Sequence, residues 1–307
     1  MEIKHLPYSK IDRAKWEKVI LHAVNGNVYG FSWYLDIVCE TWDALVLNDY
    51  EAVMPLPVKK FMGYSILQQP LFTQQLGVFS PNIQLIANIH PFIEYTQQHF
   101  HYISLQFNKL NVLSESTTHA LITKKNNFEL DLIPPYTYLW NKFHTNTKRN
   151  ILKAQKNKLT VKINDINADT FIQFLKKNME SKVIHLSNKD YEKIKHIVTF
   201  SLKYKFGEIY SVYDKTQLVS SVLFIFTHQK AFYLFAVSSP VGKEKKAMFL
   251  LLDEFIRKYA EKNVILDFEG SMIPGVARFY ESFGATNCSY VHYYYNALPF
   301  FLRLIKH

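Results

Sequence analysis

Asp267, Glu269, Ser271, Arg278 and Tyr280 lie within fourteen positions of one another, on a segment that reads strand, loop, helix. Carboxylates at 267 and 269 would share one strand face if the strand persisted through both. Two close carboxylates raise one pKa and so suit a general base. On this reading Glu269 or Asp267 takes a proton, with Asp267 as a turn cap its other assignment. Tyr280 is placed to serve a leaving group as acid, and Ser271 and Arg278 to hold a substrate. Arg278 and Tyr280 equally fit a helix surface and a core. The chain has nine glycines, and Gly242, Gly270, Gly275 and Gly284 fall in this late region. Glycine is placed where the backbone turns sharply or approaches something closely.

The second constellation is Ser238-Ser239-Pro240-Val241-Gly242-Lys243-Glu244-Lys245-Lys246-Ala247, at a strand-to-helix junction. Backbone N–H groups there, with Lys243, Lys245 and Lys246, form a candidate phosphate cradle. Backbone N–H groups near Ala236 to Ser239 are candidate oxyanion donors. A third constellation is the acid-free run from Leu139 to Lys158, which carries Lys142, Lys148, Arg149, Lys153, Lys156 and Lys158. On a helix beginning near Asn146 or Thr147, Arg149, Lys153 and Lys156 share a face at i, i+4, i+7. That face reads as an anion site or as a solvated basic helix.

The elements that must position these residues follow from periodicity. Helices are expected at Ile11–Ala23, Trp33–Cys39, Ile83–His99, Thr170–Met179 with Asp169 as N-cap, Lys189–Leu202 and Lys243–Lys262. In the last, Ala247, Leu251, Phe255 and Tyr259 form one apolar stripe. Strands are expected at Ala44–Leu47, Ala52–Val58, Tyr64–Gln69, Gly77–Phe79, Tyr102–Phe107, Phe128–Leu132, Glu208–Tyr213, Leu218–Thr227, Ala231–Val237 and Val264–Phe268. A tyrosine-rich strand closes the sequence.

The early run ending Leu76-Gly77-Val78-Phe79-Ser80-Pro81 and the late run ending Phe235-Ala236-Val237-Ser238-Ser239-Pro240 each follow a strand, turn and long strand. This is the pattern of a diverged duplication.

Bulk properties narrow the function classes. The 307 residues are 48% hydrophobic and 20% charged, a globular composition. Net charge is +10 and pI about 9.3, which favours anionic partners such as nucleic acid, nucleotide cofactors or an acidic membrane face. Cys39 and Cys288 are the two cysteines, so there is no disulfide framework or cysteine-rich zinc site. The sequence lacks a His-Glu-x-x-His helix, a Walker loop and a Gly-x-Ser-x-Gly elbow. No metal is expected. No apolar run is long enough to span a bilayer, and a cytoplasmic protein is expected.

Thr147-Lys148-Arg149-Asn150-Ile151-Leu152-Lys153-Ala154, the strand–loop–helix Phe235–Leu252, and Asp267–Ser271 with Val276–Ala285 together resemble the Fem-like acyltransferases of the GNAT superfamily. The resemblance covers most of residues 130 to 295. It implies an α/β (α+β) architecture of two tandem GNAT-like domains, each a mixed sheet flanked by helices, with a cleft between them. The expected division is 1–135, a degenerate N-terminal domain, and 136–307, which carries the donor site. The activity implied is N-acyl transfer from an acyl-CoA-type donor to a small-molecule or peptide amine by direct attack. Ser238, Ser239, Gly242, Lys243, Lys245 and Lys246 would hold the cofactor, Lys148, Arg149, Ser271 and Arg278 the substrate. The usual glycine pattern of the pyrophosphate loop is degraded at Lys246-Ala247. The alternatives are an aminoacyl-tRNA-dependent peptidyltransferase acting on a cell-wall precursor and a non-catalytic nucleic-acid-binding module. The region Ile166–Leu202, interrupted at Leu186-Ser187-Asn188, is too short for the long helical arm of tRNA-dependent Fem proteins.

Overall fold

Strand-forming runs separated by tight turns build two sheet-centred units. The structure is a computed structural model describing residues 2–113, 120–179 and 186–306. The chain divides into unit 1, Met1–Lys125 with Ser289–His307, and unit 2, Asn126–Cys288. The expected division at 135/136 differs at both ends, because Phe128–Asp131 pairs within the second unit's sheet and Ser289–His307 belongs with the first unit.

Unit 1 contains β1 (Ile3–Leu6), α1 (Arg13–His22), α2 (Ser32–Val38), β2 (Asp43–Leu47), β3 (Ala52–Leu56), β4 (Val58–Phe61), β5 (Tyr64–Gln68), α3 (Ile83–Ala87), α4 (His90–His99), β6 (Tyr102–Phe107) and β7 (Leu121–Lys125). The single helix expected over Ile83–His99 is two, parted at Asn88 and Ile89. Strands β1, β2 and β3 are successively antiparallel. Bridges Val53↔Phe79 (antiparallel) and Leu76↔Phe107 (parallel) then connect β3 through residues 76–79 to β6. Leu45, Met54, Leu67, Val78, Phe92, Ile103, Leu105 and Phe107 form the core.

Unit 2 contains β8 (Phe128–Asp131), α5 (Tyr136–Lys142), α6 (Thr145–Lys156), β9 (Thr160–Ile163), α7 (Ala168–Asn178), α8 (Asn188–Lys203), β10 (Gly207–Asp214), β11 (Gln217–Thr227), β12 (Lys230–Ser238), α9 (Pro240–Glu244), α10 (Ala247–Tyr259), β13 (Ile265–Asp267), α11 (Pro274–Glu281) and β14 (Thr286–Asn287). Its described strands form a seven-stranded sheet in the order β14-β8-β13-β12-β11-β10-β9. The chain then forms β15 (Tyr290–Asn296) and α12 (Phe300–Arg303). β15 lies between β6 and β7 in the first unit's five-stranded sheet, β4-β5-β6-β15-β7.

The two units repeat one series of pairings. In unit 1 it runs β1, β2, β3, residues 76–79, β6, β15, β7. In unit 2 it runs β9, β10, β11, β12, β13, β8, β14. The contact between the fourth and fifth members is the parallel one in each series. Such agreement of order and direction is what a duplication leaves.

Several local details depart from the periodicity. Asn167, not Asp169, caps α7, its side chain accepting from the Thr170 N–H at 2.9 Å. The expected helix Lys243–Lys262 is broken into α9 and α10 because Lys246 takes a left-handed backbone, φ 63° and ψ 32°. The expected strand Val264–Phe268 shortens to three residues. Helix α10 buries most of the expected stripe: Ala247, Leu251 and Phe255 have no exposed surface, and Tyr259 is half-buried. Phe255 stacks on Phe224 with ring centroids 3.9 Å apart and touches Tyr210 and Tyr259. Removing a ring so enclosed costs about 3–5 kcal/mol.

Candidate functional site

β12, α9–α10 and β13 form a β-α-β crossover, and β12 and β13 are parallel. Open α/β sheets bind ligands where adjacent strands diverge at their carboxyl ends. Here the ladder runs Lys230↔Ile265, Ala231↔Leu266, Phe232↔Asp267 and stops. β12 continues to Ser238, whereas Phe268 turns its N–H to the Phe128 carbonyl of β8 at 2.9 Å. A bulge in β12 near Leu234 accompanies the divergence: Tyr233 faces Phe224, and Phe235 faces Leu223.

The edge thus exposed has a definite register. The Ser239 N–H donates to the Val219 carbonyl at 2.9 Å, so Ser239 faces β11. Backbone groups alternate along an antiparallel strand, which turns those of Ser238 and Ala236 toward the edge that β13 has left. Of the expected donors near Ala236 to Ser239, the Ser239 amide is already engaged.

The first unit has the same register with a different outcome. Phe79 exchanges both backbone bonds with Val53, which turns Val78 toward the equivalent edge. There Asn111 fills the gap. Its Oδ1 accepts from the Val78 N–H at 2.9 Å, and its Nδ2 donates to the Val78 carbonyl at 3.0 Å. Asn25 Nδ2 also donates to that carbonyl, at 2.7 Å.

At the β12–α9 junction most expected phosphate donors serve the fold. Ser239 Oγ caps α9, accepting from the Gly242 N–H at 3.1 Å, and itself donates to the Val219 carbonyl. The N–H groups of Lys243, Lys245 and Lys246 go to Ser239, Val241 and Lys243 carbonyls. A Cβ on Gly242 would stand 2.1 Å from the Val219 oxygen, so glycine is required by close approach to β11. Ser238 Oγ shares a hydrogen bond with Ser220 Oγ at 2.5 Å. Lys245 is ion-paired to Asp214, and Lys243 is exposed. The start of α10 is different. No side chain caps it, and the first amides of a helix have no intrahelical acceptor. The Ala247 and Met248 amides, with Lys246, are therefore the better candidate for holding an anion at this end of β12.

The carboxylates depart from the expected geometry. β13 ends at Asp267, and Glu269 has φ 66°, so the two side chains do not share a strand face. The Glu269 N–H instead donates to Asp267 Oδ1 at 3.0 Å. Gly270 follows at φ 57°, where a Cβ would lie 2.0 Å from the Asn126 oxygen. Asp267 is 1% exposed, and its acidic neighbour is Glu129, directly opposite on β8. Lys230 Nζ lies 2.6 Å from Glu129 Oε1 and 3.4 Å from Asp267 Oδ2. Burial, then the Glu129 charge, raises the Asp267 pKa against the pull of Lys230. Burial opposes the Lys230 charge, but Asp267 and Glu129 together hold its pKa above the usual value.

Tyr280 is 8% exposed and stacks on Phe268 with centroids 4.8 Å apart. Tyr233, the first β12 residue beyond the parallel ladder, meets Tyr280 edge-on at 6.0 Å. Burial raises both phenol pKa values, and the Glu269 charge adds to the effect on Tyr280. Ser271 Oγ accepts from the Ile273 N–H at 3.0 Å, at the entry to α11, and Arg278 is exposed on that helix.

Helix α6 starts at Thr145, slightly earlier than expected, and presents Arg149, Lys153 and Lys156 to solvent. Lys148 turns back instead: its ammonium donates to the Asn141 carbonyl at 3.3 Å and lies 5.9 Å from the Trp140 ring centre. Thr147 is buried and donates to Ser282 Oγ at 2.7 Å, tying α6 to the end of α11.

Sequence reasoning passed over Glu129, Lys230 and Tyr233. An acid inside the apolar alternation Phe128-Glu129-Leu130 was the available signal for the first. Lys230 reads as part of a turn, but the turn is His228-Gln229, both at positive φ, and Lys230 opens β12.

The chain resembles FemX along its whole length, with a TM-score of 0.64, 12% identity and 100% of each chain covered. The fold is that of the Fem-like, GNAT-type acyltransferases. The C-terminal domain of a putative lysylphosphatidylglycerol synthetase from Agrobacterium fabrum matches at TM-score 0.58 and 8% identity, covering 96% of this chain and 95% of that one. A GNAT-family acetyltransferase from Colwellia psychrerythraea matches at 0.56 and 10%, covering 96% and 100%. No family model matches the sequence. No curated protein matches it. In the Fem-like frame the two units are tandem GNAT-like domains, each with a mixed sheet and flanking helices.

Proposed function

We propose that the second unit transfers an acyl group from a coenzyme A-type thioester to an amine. The observation that carries this reading is the unpaired edge of β12 at Ala236 and Ser238, beside a parallel ladder that stops at Phe232 and Asp267. An extended thioester arm fits such an edge, because it can accept and donate backbone hydrogen bonds as a strand would. Its phosphates would lie at the start of α10, near Lys246 and Lys243, with Ser238, Ser239, Gly242 and Lys245 shaping the turn. In the first unit Asn111 occupies the equivalent edge, which favours one donor site rather than two.

Direct transfer needs alignment, a base and an oxyanion donor. The amine nitrogen attacks the thioester carbonyl, and the C–N bond forms as negative charge collects on oxygen. The Ala236 or Ser238 amide donates to that oxygen. Glu269 accepts the amine proton, the C–S bond breaks and the thiolate departs. Tyr280 has a raised pKa, so it suits hydrogen-bond donation to the oxyanion or thiolate better than full proton transfer. Asp267, enclosed with Lys230, positions the Glu269 backbone and is not the base. Arg278 and Ser271 are assigned to the acceptor.

A second donor class, an aminoacyl-tRNA ester, is favoured by one observation: the solvent-facing row Arg149, Lys153 and Lys156 on α6. Calorimetric titration with coenzyme A and acyl-CoAs, in parallel with aminoacyl-tRNA, separates the two. Saturable coenzyme A binding that weakens on substituting Lys246 supports the thioester reading. Binding of tRNA alone, lost on substituting Arg149 and Lys153, replaces it with the ester reading.

A further inference from the structure

Apolar side chains in a soluble protein are rarely exposed together. In the segment Leu298–Lys306 four of them are: Phe300 is 77% exposed, Phe301 63%, Leu304 61% and Ile305 64%. The segment is anchored. Leu298 and Leu302 are buried against Ile66 and Tyr102, with Phe61, Tyr64 and Tyr294 around them. Arg303 Nε donates to the Leu298 carbonyl at 2.5 Å, and Lys306 Nζ donates to Gln68 Oε1 at 3.0 Å. Lys306 also lies over the Phe61 and Tyr102 rings, at 5.3 and 5.2 Å. The outward side chains are thus held on an ordered base.

The segment and the hairpin on which it rests bring cations and no acidic side chain: residues 289–306 contain no Asp or Glu, and neither do residues 57–69, the β4–β5 hairpin. That hairpin exposes Lys59, Lys60 and, at its tip, Met62 at 69%. On β4 Lys59 shares the sheet face of Phe61 and Ile66, on which the segment packs, whereas Lys60 bonds Ser65 Oγ on the other face. Arg303 is exposed within the apolar group itself.

We infer that Phe300, Phe301, Leu304 and Ile305, rimmed by Lys59 and Arg303, form a docking surface for an anionic lipid bilayer. Aromatic and aliphatic side chains enter the headgroup boundary while the cations meet lipid phosphates. Charge decides for this occupant: a second copy of the chain would bring the same cations against themselves. No described helix is long and apolar enough to cross a membrane, so the contact is a peripheral one. It stands whether or not the transfer reading above is correct.

The test is co-sedimentation of the full chain with phosphatidylcholine vesicles, with and without phosphatidylglycerol, alongside sedimentation velocity without lipid. Binding is expected on the phosphatidylglycerol vesicles, falling as salt rises. The double variant Phe300→Ser, Phe301→Ser should lower the partition coefficient at least about tenfold, with an unchanged melting temperature. The variant Lys59→Glu should lower it about fivefold or more, since each cation near such a surface contributes about fivefold. Failure to bind any vesicle overturns the inference. So does binding that neither variant weakens. A lipid-free dimer dissociated by the serine variant would assign the surface to a second copy and also overturn it.

Discussion

Glu129 stands opposite Asp267 across the antiparallel β8–β13 ladder, and one ammonium, that of Lys230, lies within salt-bridge distance of both. Two carboxylates share one cation, so the fully ionised cluster keeps an excess negative charge. Burial, and after it the Glu129 charge, raises the Asp267 pKa, and the two carboxylates keep Lys230 charged despite burial. The cluster spans the short ladder, from Lys230 at its first pair to Asp267 at its last.

Lys230→Met is expected to destabilise the protein by about 3–5 kcal/mol near neutral pH, because it leaves two buried carboxylates without a cation. The sign of the pH dependence follows from linkage. Without the pull of Lys230 the Asp267 carboxyl keeps a folded pKa above its unfolded one, so the folded state binds more protons. Stability should rise as pH falls from neutral toward the ordinary carboxylate range. Urea unfolding of the variant at several pH values checks this, and a deficit independent of pH would contradict it.

Glu269→Gln is expected to lower turnover by about two to four orders of magnitude, the usual contribution of a general base, while thermal stability stays within error. Turnover unaffected by the change removes Glu269 from the mechanism.

Gly242→Ala tests the approach of α9 to β11. The added methyl would lie 2.1 Å from a backbone oxygen, which cannot move as a flexible side chain could. A loss of about 1–3 kcal/mol is expected in chemical denaturation. A neutral result would mean that this junction relaxes easily.

Lys246→Gly separates a ligand role from a structural one. The left-handed backbone at Lys246 costs a side-chain-bearing residue about 1 kcal/mol, which glycine relieves. The variant should unfold at higher denaturant concentration yet bind coenzyme A more weakly. Unchanged affinity would take Lys246 out of the donor site.

Asn111→Ala probes the filled edge of the first unit. Removing this buried amide leaves the Val78 N–H without its acceptor, at a cost of about 1–3 kcal/mol. Donor affinity per molecule should not change. A second equivalent of bound donor would show that Asn111 alone had been closing a competent site.

Within the basic, acid-free run from Leu139 to Lys158, α6 carries Arg149, Lys153 and Lys156 on one exposed side, as their spacing requires. Of the stripe Ala247, Leu251, Phe255 and Tyr259, the first three are buried and Tyr259 half-buried. The likeness between the run ending at Pro81 and the run ending at Pro240 proved to mark the same position in two repeats of one sheet. These features are local: each depends on a period or turn within a few residues, and the chain carries that information along its length.

Tertiary structure decided the rest. Nothing within ten residues of Phe128 tells that β8 will lie beside β13, or that β15 will lie between β6 and β7. Those pairings join positions more than a hundred residues apart, so the partner of Asp267 was not its sequence neighbour Glu269 but Glu129. The break at Lys246 was equally hidden, since a lysine has no intrinsic preference for the left-handed region and takes it only where the surrounding packing imposes it. The sequence determined which segments could become strands and helices, and where charge and glycine would be concentrated. Which edges no described strand pairs, at Ala236 and Ser238, and which a side chain fills, at Val78, depended on contacts brought together only by folding.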